Sequence, residues 1–337
     1  MVQKYIEKIT NGQSLSQEEA AVLFSALING ELGQVEIAAL LIALKTKGET
    51  VDEISGAVTA LRKNALVFNR PGYSFADSCG TGGDGAHTIN VSTAAAFVAA
   101  AAGVPVAKHG NRSISSKCGS ADVFENIGIN LEASPEISRK CLDTAGICFF
   151  YAPMYHSGLR HAGSVRKELG MRTVMNILGP LVNPAAPDVQ VMGVYDKSII
   201  NIAADVLKNV GVKTALVVNG SGLDEIAVHG MTRGALLRNG SIENIELSPS
   251  DAGLKEYSLD AIRGGTPGEN TEALKNILSG CGSDAHNAAV AINAGALIWI
   301  YGSAKDLKDG ASKALELMSK GTPMETALKL AECSHGS

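Results

Sequence analysis

Asp224 and Glu225 stand side by side in 219-NGSGLDEIAVHG-230, just after an apolar run. Two neighbouring carboxylates without a histidine pattern suit a hard cation such as Mg2+, held by a few carboxylates together with a substrate's phosphates. Alone, the pair reads equally well as a solvated acidic turn. A second segment favours the metal. The stretch 79-CGTGGDGAHTINVST-93 contains Gly80-Thr81-Gly82-Gly83-Asp84-Gly85, which satisfies the dinucleotide spacing G-x-G-x-x-G. A Rossmann site needs a strand before this loop, a helix after it, and an acid about 20 residues further on for the ribose hydroxyls. The third condition fails. The next strand runs into Lys108-His109-Gly110-Asn111-Arg112, which has no acid and two fixed positive charges. The two loops together make a phosphate trap. Glycines let backbone N–H groups approach an anion, a helix starting near Ser92 presents its positive end, and Thr88, Asn90, Ser92 and Thr93 offer side-chain partners. The Walker pattern G-x-x-x-x-G-K-[ST] is absent, so a P-loop nucleotidase is not supported.

The basic loop continues as 112-RSISSKCGSAD-122, where Ser115, Ser116 and Ser120 can donate to phosphate oxygens and Lys117 adds charge. Its alternative is an ordinary solvated loop, and that of His109 is a packed histidine. Their place at the carboxyl end of a strand, where open α/β sheets bind ligands, shifts both toward function. A fourth segment, 155-YHSGLRHAGSVRKELGMRT-173, is helical and rich in positive charge. Arg166 has the fork geometry to hold a carboxylate of an acceptor substrate, and reads as readily as a surface arginine.

The elements that must position these residues fall into two regions. Through about residue 65 apolar positions recur at helical spacing only, with capping-box signals at Ser16-x-x-Glu19 and Thr50-x-x-Glu53. Residues 34–45 are apolar around most of the circumference, predicting burial between helices or against another subunit. From about residue 70, short apolar runs alternate with glycine-rich turns and alanine-rich helices, the pattern of βα units around a parallel sheet. Strands are predicted at 74–78, 104–108, 189–195 and 214–220, and helices at 92–102 and 284–300. Pro180, Pro184 and Pro187 predict a break in regular structure where the chain crosses between domains. The fold class is therefore α/β: a small all-helical domain plus a larger domain with a central, mainly parallel sheet flanked by helices.

The 337 residues, 45% of them hydrophobic, suffice for this core. A net charge of −5 and 4% aromatic content argue against a surface built for nucleic acid. The N-terminus lacks the apolar core of a signal peptide and no run is long enough to span a membrane, so the expected compartment is the cytoplasm. The six cysteines, at 79, 118, 141, 148, 281 and 333, lack zinc spacing and read as reduced, mostly buried thiols.

In this order the motifs CGTGGDG, NVST, KHGNRSISSKCGSAD, RKELGMRTVMNILGPLVNP and LDE closely resemble the anthranilate phosphoribosyltransferase family, over nearly the whole chain. The resemblance implies a helical domain over 1–68, joined by helices from about 165–185, and an α/β domain over 69–337 with the active site in the cleft between them. It implies transfer of phosphoribose from phosphoribosyl pyrophosphate to anthranilate in tryptophan synthesis, with two magnesium ions, by a homodimer formed through the helical domain. Carried over by position, Gly80, Gly83, Asp84, Thr88, Asn90, Val91, Ser92, Thr93, Lys108, His109, Gly110, Asn111, Arg112, Ser113, Ile114, Ser115, Ser116 and Ser120 surround phosphoribosyl pyrophosphate. Ser92, Asp224 and Glu225 hold the metal. Gly80, His109, Asn111 and Arg166 meet anthranilate. Lys108, Asp224 and Glu225 act electrostatically, with no essential base. The chain departs from the family at Ser157-Gly158-Leu159 and at Gly163-Ser164, where relatives carry Pro-Ala-Met-type and Ala-Pro segments.

Two rivals share the scaffold. A pyrimidine nucleoside phosphorylase has a similar fold and glycine loop, but the 108–112 run and the adjacent acids favour the transferase. A non-enzymatic nucleic-acid-binding relative is expected to lose the acceptor motif and gain a basic surface, whereas this chain keeps the motif and is acidic.

Overall fold

The computed structural model describes residues 2–113 and 117–336. The N-terminal region folds as helices Gln3–Thr10, Gln17–Ile28, Gln34–Lys47 and Val51–Lys63. Both expected capping boxes form: Ser16 and Thr50 accept from the N–H groups of Glu19 and Glu53, whose carboxylates reach back to the cap N–H groups. Glu53 is buried, and also accepts from Leu15 N–H at 3.0 Å and pairs with Lys47 at 2.9 Å. In helix Gln34–Lys47 it is Ile37, Leu40, Leu41 and Leu44 that are buried, while Val35 is 83% exposed. The helix therefore packs into its own bundle through one stripe.

Helices Gly163–Leu169 and Met175–Leu181 contribute Val165, Ile177, Leu178 and Leu181 to the same apolar core as Leu23, Phe24, Leu40 and Leu61. Pro180 lies inside the second of these helices instead of breaking it. The helix ends one residue later, so the missing donor falls in its last turn, and the Pro180 carbonyl is taken by Gln190 Nε2 at 2.7 Å.

Among the described residues one sheet of seven strands forms: β1 (Ala76–Gly80), β2 (Val106–Gly110), β3 (Ile147–Tyr151), β4 (Val189–Gly193), β5 (Thr214–Gly220), β6 (Thr232–Arg238) and β7 (Ser241–Leu247). Their order is β3-β2-β1-β4-β5-β6-β7, parallel from β3 to β5 and antiparallel thereafter. β1 and β2 lie two residues later than expected, because parallel pairing runs on to the terminal glycines: Gly80 registers with Gly193 and Gly110 with Tyr151. β3, β6 and β7 are strands that the sequence pattern did not disclose. Helices Val91–Ala101 and Asp284–Tyr301 pack against one another in the core of the larger unit, with Ala94, Ala95, Ala291 and Ala294 buried there. Small side chains allow that approach. Among the described residues no helix is long and apolar enough to cross a membrane.

Strand order reverses between β1 and β4: the chain leaves β1 toward β2 and β3, then returns to the other side as β4. A crevice opens at the carboxyl ends of the strands at such a reversal, and there the candidate residues gather.

Candidate active site

β1 and β4 end side by side in Gly80 and Gly193, and the turn after β5 folds back over them through a bridge between Gly220 and Leu223. Asp224 is thereby laid across both ends. A Cβ on Gly193 would lie 1.5 Å from the Asp224 carbonyl oxygen, so only glycine permits the approach. The turn is pinned by Asn293, set in the otherwise apolar stretch 288–300 of helix Asp284–Tyr301, which accepts from Ile226 N–H at 2.9 Å and donates to Ile226 C=O at 3.0 Å. Asp224 Oδ2 accepts from Gly82 N–H at 2.5 Å, and Glu225 Oε1 from Ser92 N–H at 3.1 Å. Glu225 thus sits at the N-terminus of helix Val91–Ala101, the position expected for a phosphate.

Burial and the neighbouring Asp84 push the Asp224 carboxyl up to about 7. Burial and the Asp224 charge push Glu225 up to about 8, against the opposing pull of Lys108. Adjacent carboxyl groups held above their ordinary range by one another favour a nearby cation. Their donor set is all oxygen, which fits magnesium. Among the described residues no three acidic, histidine or cysteine side chains form a ready-made metal cage, so substrate oxygens or water would complete the coordination.

β2 supplies Lys108 and His109, both buried. Lys108 Nζ donates to the Ser78 carbonyl at 2.5 Å. His109 Nδ1 lies 3.2 Å from the Gly179 carbonyl, which assigns the proton to that nitrogen and leaves Nε2 as a buried acceptor without a partner among the described residues. Burial, reinforced by His156 at a ring separation of 5.3 Å, holds His109 down to about 3, so it is neutral. Under β2, Asp77 receives His109 N–H at 3.4 Å and Asn183 Nδ2 at 2.9 Å.

A cavity of about 360 Å3 runs from these strand ends to the helical side. Its walls bring together Gly80, Gly83, Asn90, Ser92, Thr93, Lys108, His109, Gly110, Asn111, Arg112, Ser113, Ser120, Arg166, Asp224 and Glu225. A polar annex of about 120 Å3 adds Asp84, Thr88 and Val91, sharing Asn90, Ser92 and both acids. Ile114, Ser115 and Ser116 lie outside the described residues. Arg112 is already engaged, pairing with Asp122 at 3.0 Å and Glu125 at 2.8 Å. Arg166 is different: half-buried, it has no ion pair or side-chain hydrogen bond among the described residues, and desolvation lowers its pKa. It is a guanidinium in want of an anion. Around it Leu159, Met175, Leu178, Pro180 and Val182 form an apolar wall that suits an aromatic ring. Leu159 belongs to the segment that departs from the family pattern; beside it, Gly158 lies so close to Ile28 that a Cβ would fall 2.2 Å from Ile28 Cγ2.

Sequence reasoning missed several supporting residues. Asn270 donates to Asn90 Oδ1 at 2.8 Å and accepts from Gly265 N–H at 2.7 Å, tying the far end of the glycine loop to 262–270. An asparagine inside the apolar run 288–300 was the available signal for Asn293; Asn270 offered none. Burial pushes the thiols of Cys79 and Cys118 up to about 12 and about 11, so neither is an activated nucleophile.

A helical bundle beside a mainly parallel α/β sheet, with an acid pair, a glycine-rich loop and an arginine lining one cavity, is the architecture of a family of glycosyl transferases that the chain matches. The description "Glycosyl transferase family, helical bundle domain" matches residues 3–65, and "Glycosyl transferase family, a/b domain" matches 72–324. The anthranilate phosphoribosyltransferase of Sorangium cellulosum is 52% identical over 325 residues, covering 96% of this chain and 93% of that protein. Among solved structures, the anthranilate phosphoribosyltransferase of Thermus thermophilus superimposes with a TM-score of 0.93 at 38% identity, over 98% of this chain and 99% of that one. The enzyme of Saccharomyces cerevisiae in complex with PRPP and Mg gives 0.90 at 25% identity, over 100% and 98%. The chain belongs to this glycosyl transferase family and, within it, to the anthranilate phosphoribosyltransferases.

Proposed function

We propose that this chain transfers the 5-phosphoribosyl group of phosphoribosyl pyrophosphate to the amine of anthranilate, releasing pyrophosphate, as a pentosyltransferase of tryptophan biosynthesis. The observation that carries this reading is the opposition, across one cavity, of a carboxylate pair beside an anion loop and an unpaired arginine beside an apolar wall. One end suits a metal-complexed diphosphate, the other an aromatic carboxylate.

Ser92, Asp224 and Glu225, together with the substrate's phosphates, would hold magnesium, as two ions, which would supply charge neutralisation to the departing pyrophosphate. Lys108 adds a positive charge beside the acids, and the amides of 83–85 with Thr88, Asn90, Thr93, Asn111 and Ser120 orient the phosphates. Arg166 forks onto the anthranilate carboxylate and holds its amine behind the bond that breaks. His109, neutral with a bare Nε2, accepts a hydrogen bond from that amine. An aromatic amine is already uncharged at neutral pH, so no general base is required before attack.

We divide the chain into a helical domain over 1–68, completed by helices from about 165–185, and an α/β domain over 69–337; the two family descriptions on either side of residue 68 support this. We further place the protein in the cytoplasm, as a homodimer joined through the helical domain, whose surface carries the exposed Val22 and Val35. Loss of anthranilate fluorescence on mixing with phosphoribosyl pyrophosphate and Mg2+ tests the reaction. Turnover that requires all three components is expected, and absence of turnover at any metal concentration overturns the acceptor assignment.

A further inference from the structure

The Gly83 carbonyl turns out of the cleft and is held by the guanidinium of Arg172, a residue that lines neither the cavity nor its annex. That guanidinium stacks on the Tyr195 ring at 4.2 Å. Tyr195 N–H in turn donates to Thr81 Oγ1 at 3.1 Å, and Thr81 N–H to the Gly193 carbonyl at 3.0 Å. From the other side Lys45, in helix Gln34–Lys47, donates to the Arg172 carbonyl at 2.7 Å. A continuous chain of contacts therefore joins the helical bundle to the glycine loop.

We propose that Arg172 is a positioning residue that sets the glycine loop for phosphate binding and couples it, through Lys45, to the helical bundle. In a trans peptide the C=O and the following N–H point in opposite directions. Fixing the Gly83 carbonyl on Arg172 therefore turns the Asp84 N–H away from Arg172, and with Gly82 N–H held by Asp224 the peptides on either side of the 82–83 linkage are set. Gly82, Gly83 and Gly85 all have positive φ, at 70°, 78° and 76°, so the loop itself offers little resistance to a peptide flip. Arg172 supplies that resistance from outside. Because it stands outside the cavity walls and acts only on the glycine loop, its effect falls on binding of the phosphorylated substrate and spares the acceptor.

The inference rests on the function proposed above, and its test separates the two. Titration calorimetry with phosphoribosyl pyrophosphate and Mg2+ compares the wild type with Arg172→Gln, Arg172→Lys and Lys45→Met. Loss of a charge-assisted hydrogen bond at an exposed site corresponds to about fivefold weaker binding in Arg172→Gln. Arg172→Lys should recover part of it and Lys45→Met should show a smaller loss in the same direction. In steady state, KM for phosphoribosyl pyrophosphate should rise while KM for anthranilate stays put, and the unfolding temperature of the free protein should barely change. Equal affinity in Arg172→Gln and wild type overturns the proposal. Should the wild type itself fail to bind, the function reading falls, and amide exchange decides the clamp: faster exchange at 81–85 in Arg172→Gln upholds it, unchanged exchange refutes it.

Discussion

Removing charge from the acid pair should stabilise the free protein while disabling it. The isosteric changes Asp224→Asn and Glu225→Gln keep the acceptors that Gly82 N–H at 2.5 Å and Ser92 N–H at 3.1 Å require. They delete two carboxylates whose pKa values are raised to about 7 and about 8 by burial and mutual repulsion. An acid whose folded pKa is raised binds its proton more tightly in the native state, so its contribution to stability is greatest at low pH and declines as pH climbs through the folded pKa. At pH 8 most of that loss has occurred. Each pKa unit is worth about 1.4 kcal/mol, and discounting for partial exposure leaves about 1–2 kcal/mol per residue. At roughly 2–4 °C per kcal/mol for a large domain, each variant should melt a few degrees above wild type at pH 8 without metal. At pH 5, not far above the ordinary values of 3.8 and 4.5, the difference should be markedly smaller. The gain should invert when Mg2+ and phosphoribosyl pyrophosphate are present, because only the wild type is stabilised by binding them. Scanning fluorimetry at both pH values, with and without ligand, reads all four conditions. A variant that melts below wild type in metal-free buffer at pH 8, or that keeps full magnesium-dependent turnover, refutes the reasoning.

For the acceptor, Arg166→Ala should raise KM for anthranilate about ten- to hundredfold, the equivalent of a hydrogen bond to a charged group, with KM for phosphoribosyl pyrophosphate little changed in the same rate assay. Arg166→Lys should fall between, lacking the fork. Asn293→Ala leaves the Ile226 N–H and C=O unpaired inside the protein, which costs about 1–3 kcal/mol per group, so the melting temperature and kcat should drop together. Magnesium affinity should rise as pH rises from 6.5 to 8.5, since Asp224 and Glu225 must lose protons to bind metal; calorimetric Mg2+ titrations in the presence of phosphoribosyl pyrophosphate, which need no turnover, should show this rise in the wild type and a flat profile in the double variant Asp224→Asn, Glu225→Gln.

The acid pair and the phosphate loops were legible because their chemistry is contiguous in sequence. The supporting residues were not, since their partners lie far along the chain: Asn293 is 67 residues from Ile226, Asn270 is 180 from Asn90, and Arg172 is 89 from Gly83. Such pairings depend on where the sheet reverses, which periodicity does not encode. β3 escaped notice as five residues, Ile147–Tyr151, without alternation, and β7 because its burial is slight along most of its length. The capping boxes were readable for the opposite reason, each being complete within four residues. Arg112 shows the limit of reading charge alone. In sequence it is one of two fixed positive charges, yet in the fold Asp122 and Glu125 already answer it.

The loop that resembles a dinucleotide site also explains, in its folded form, why it favours a different ligand. In a Rossmann fold the pyrophosphate rests on free N–H groups at the helix N-terminus. Here Glu225 accepts the Ser92 N–H at that terminus, with Asp224 and Asp84 close by. A bare pyrophosphate entering this end would meet carboxylates, and the buried Lys108 is occupied by the Ser78 carbonyl. A diphosphate that brings its own divalent cation reverses the sign of the encounter: the carboxylates then bind what the phosphates carry, and the amides of the glycine loop remain for the phosphate oxygens. The same acids that weaken binding of a metal-free anion thereby select a metal-complexed one. That selection has a direct measure, because metal-free pyrophosphate should bind more tightly to Glu225→Gln than to wild type, whereas the magnesium complex should bind less tightly. Identical ordering for the two forms would show that Glu225 takes no part in the choice.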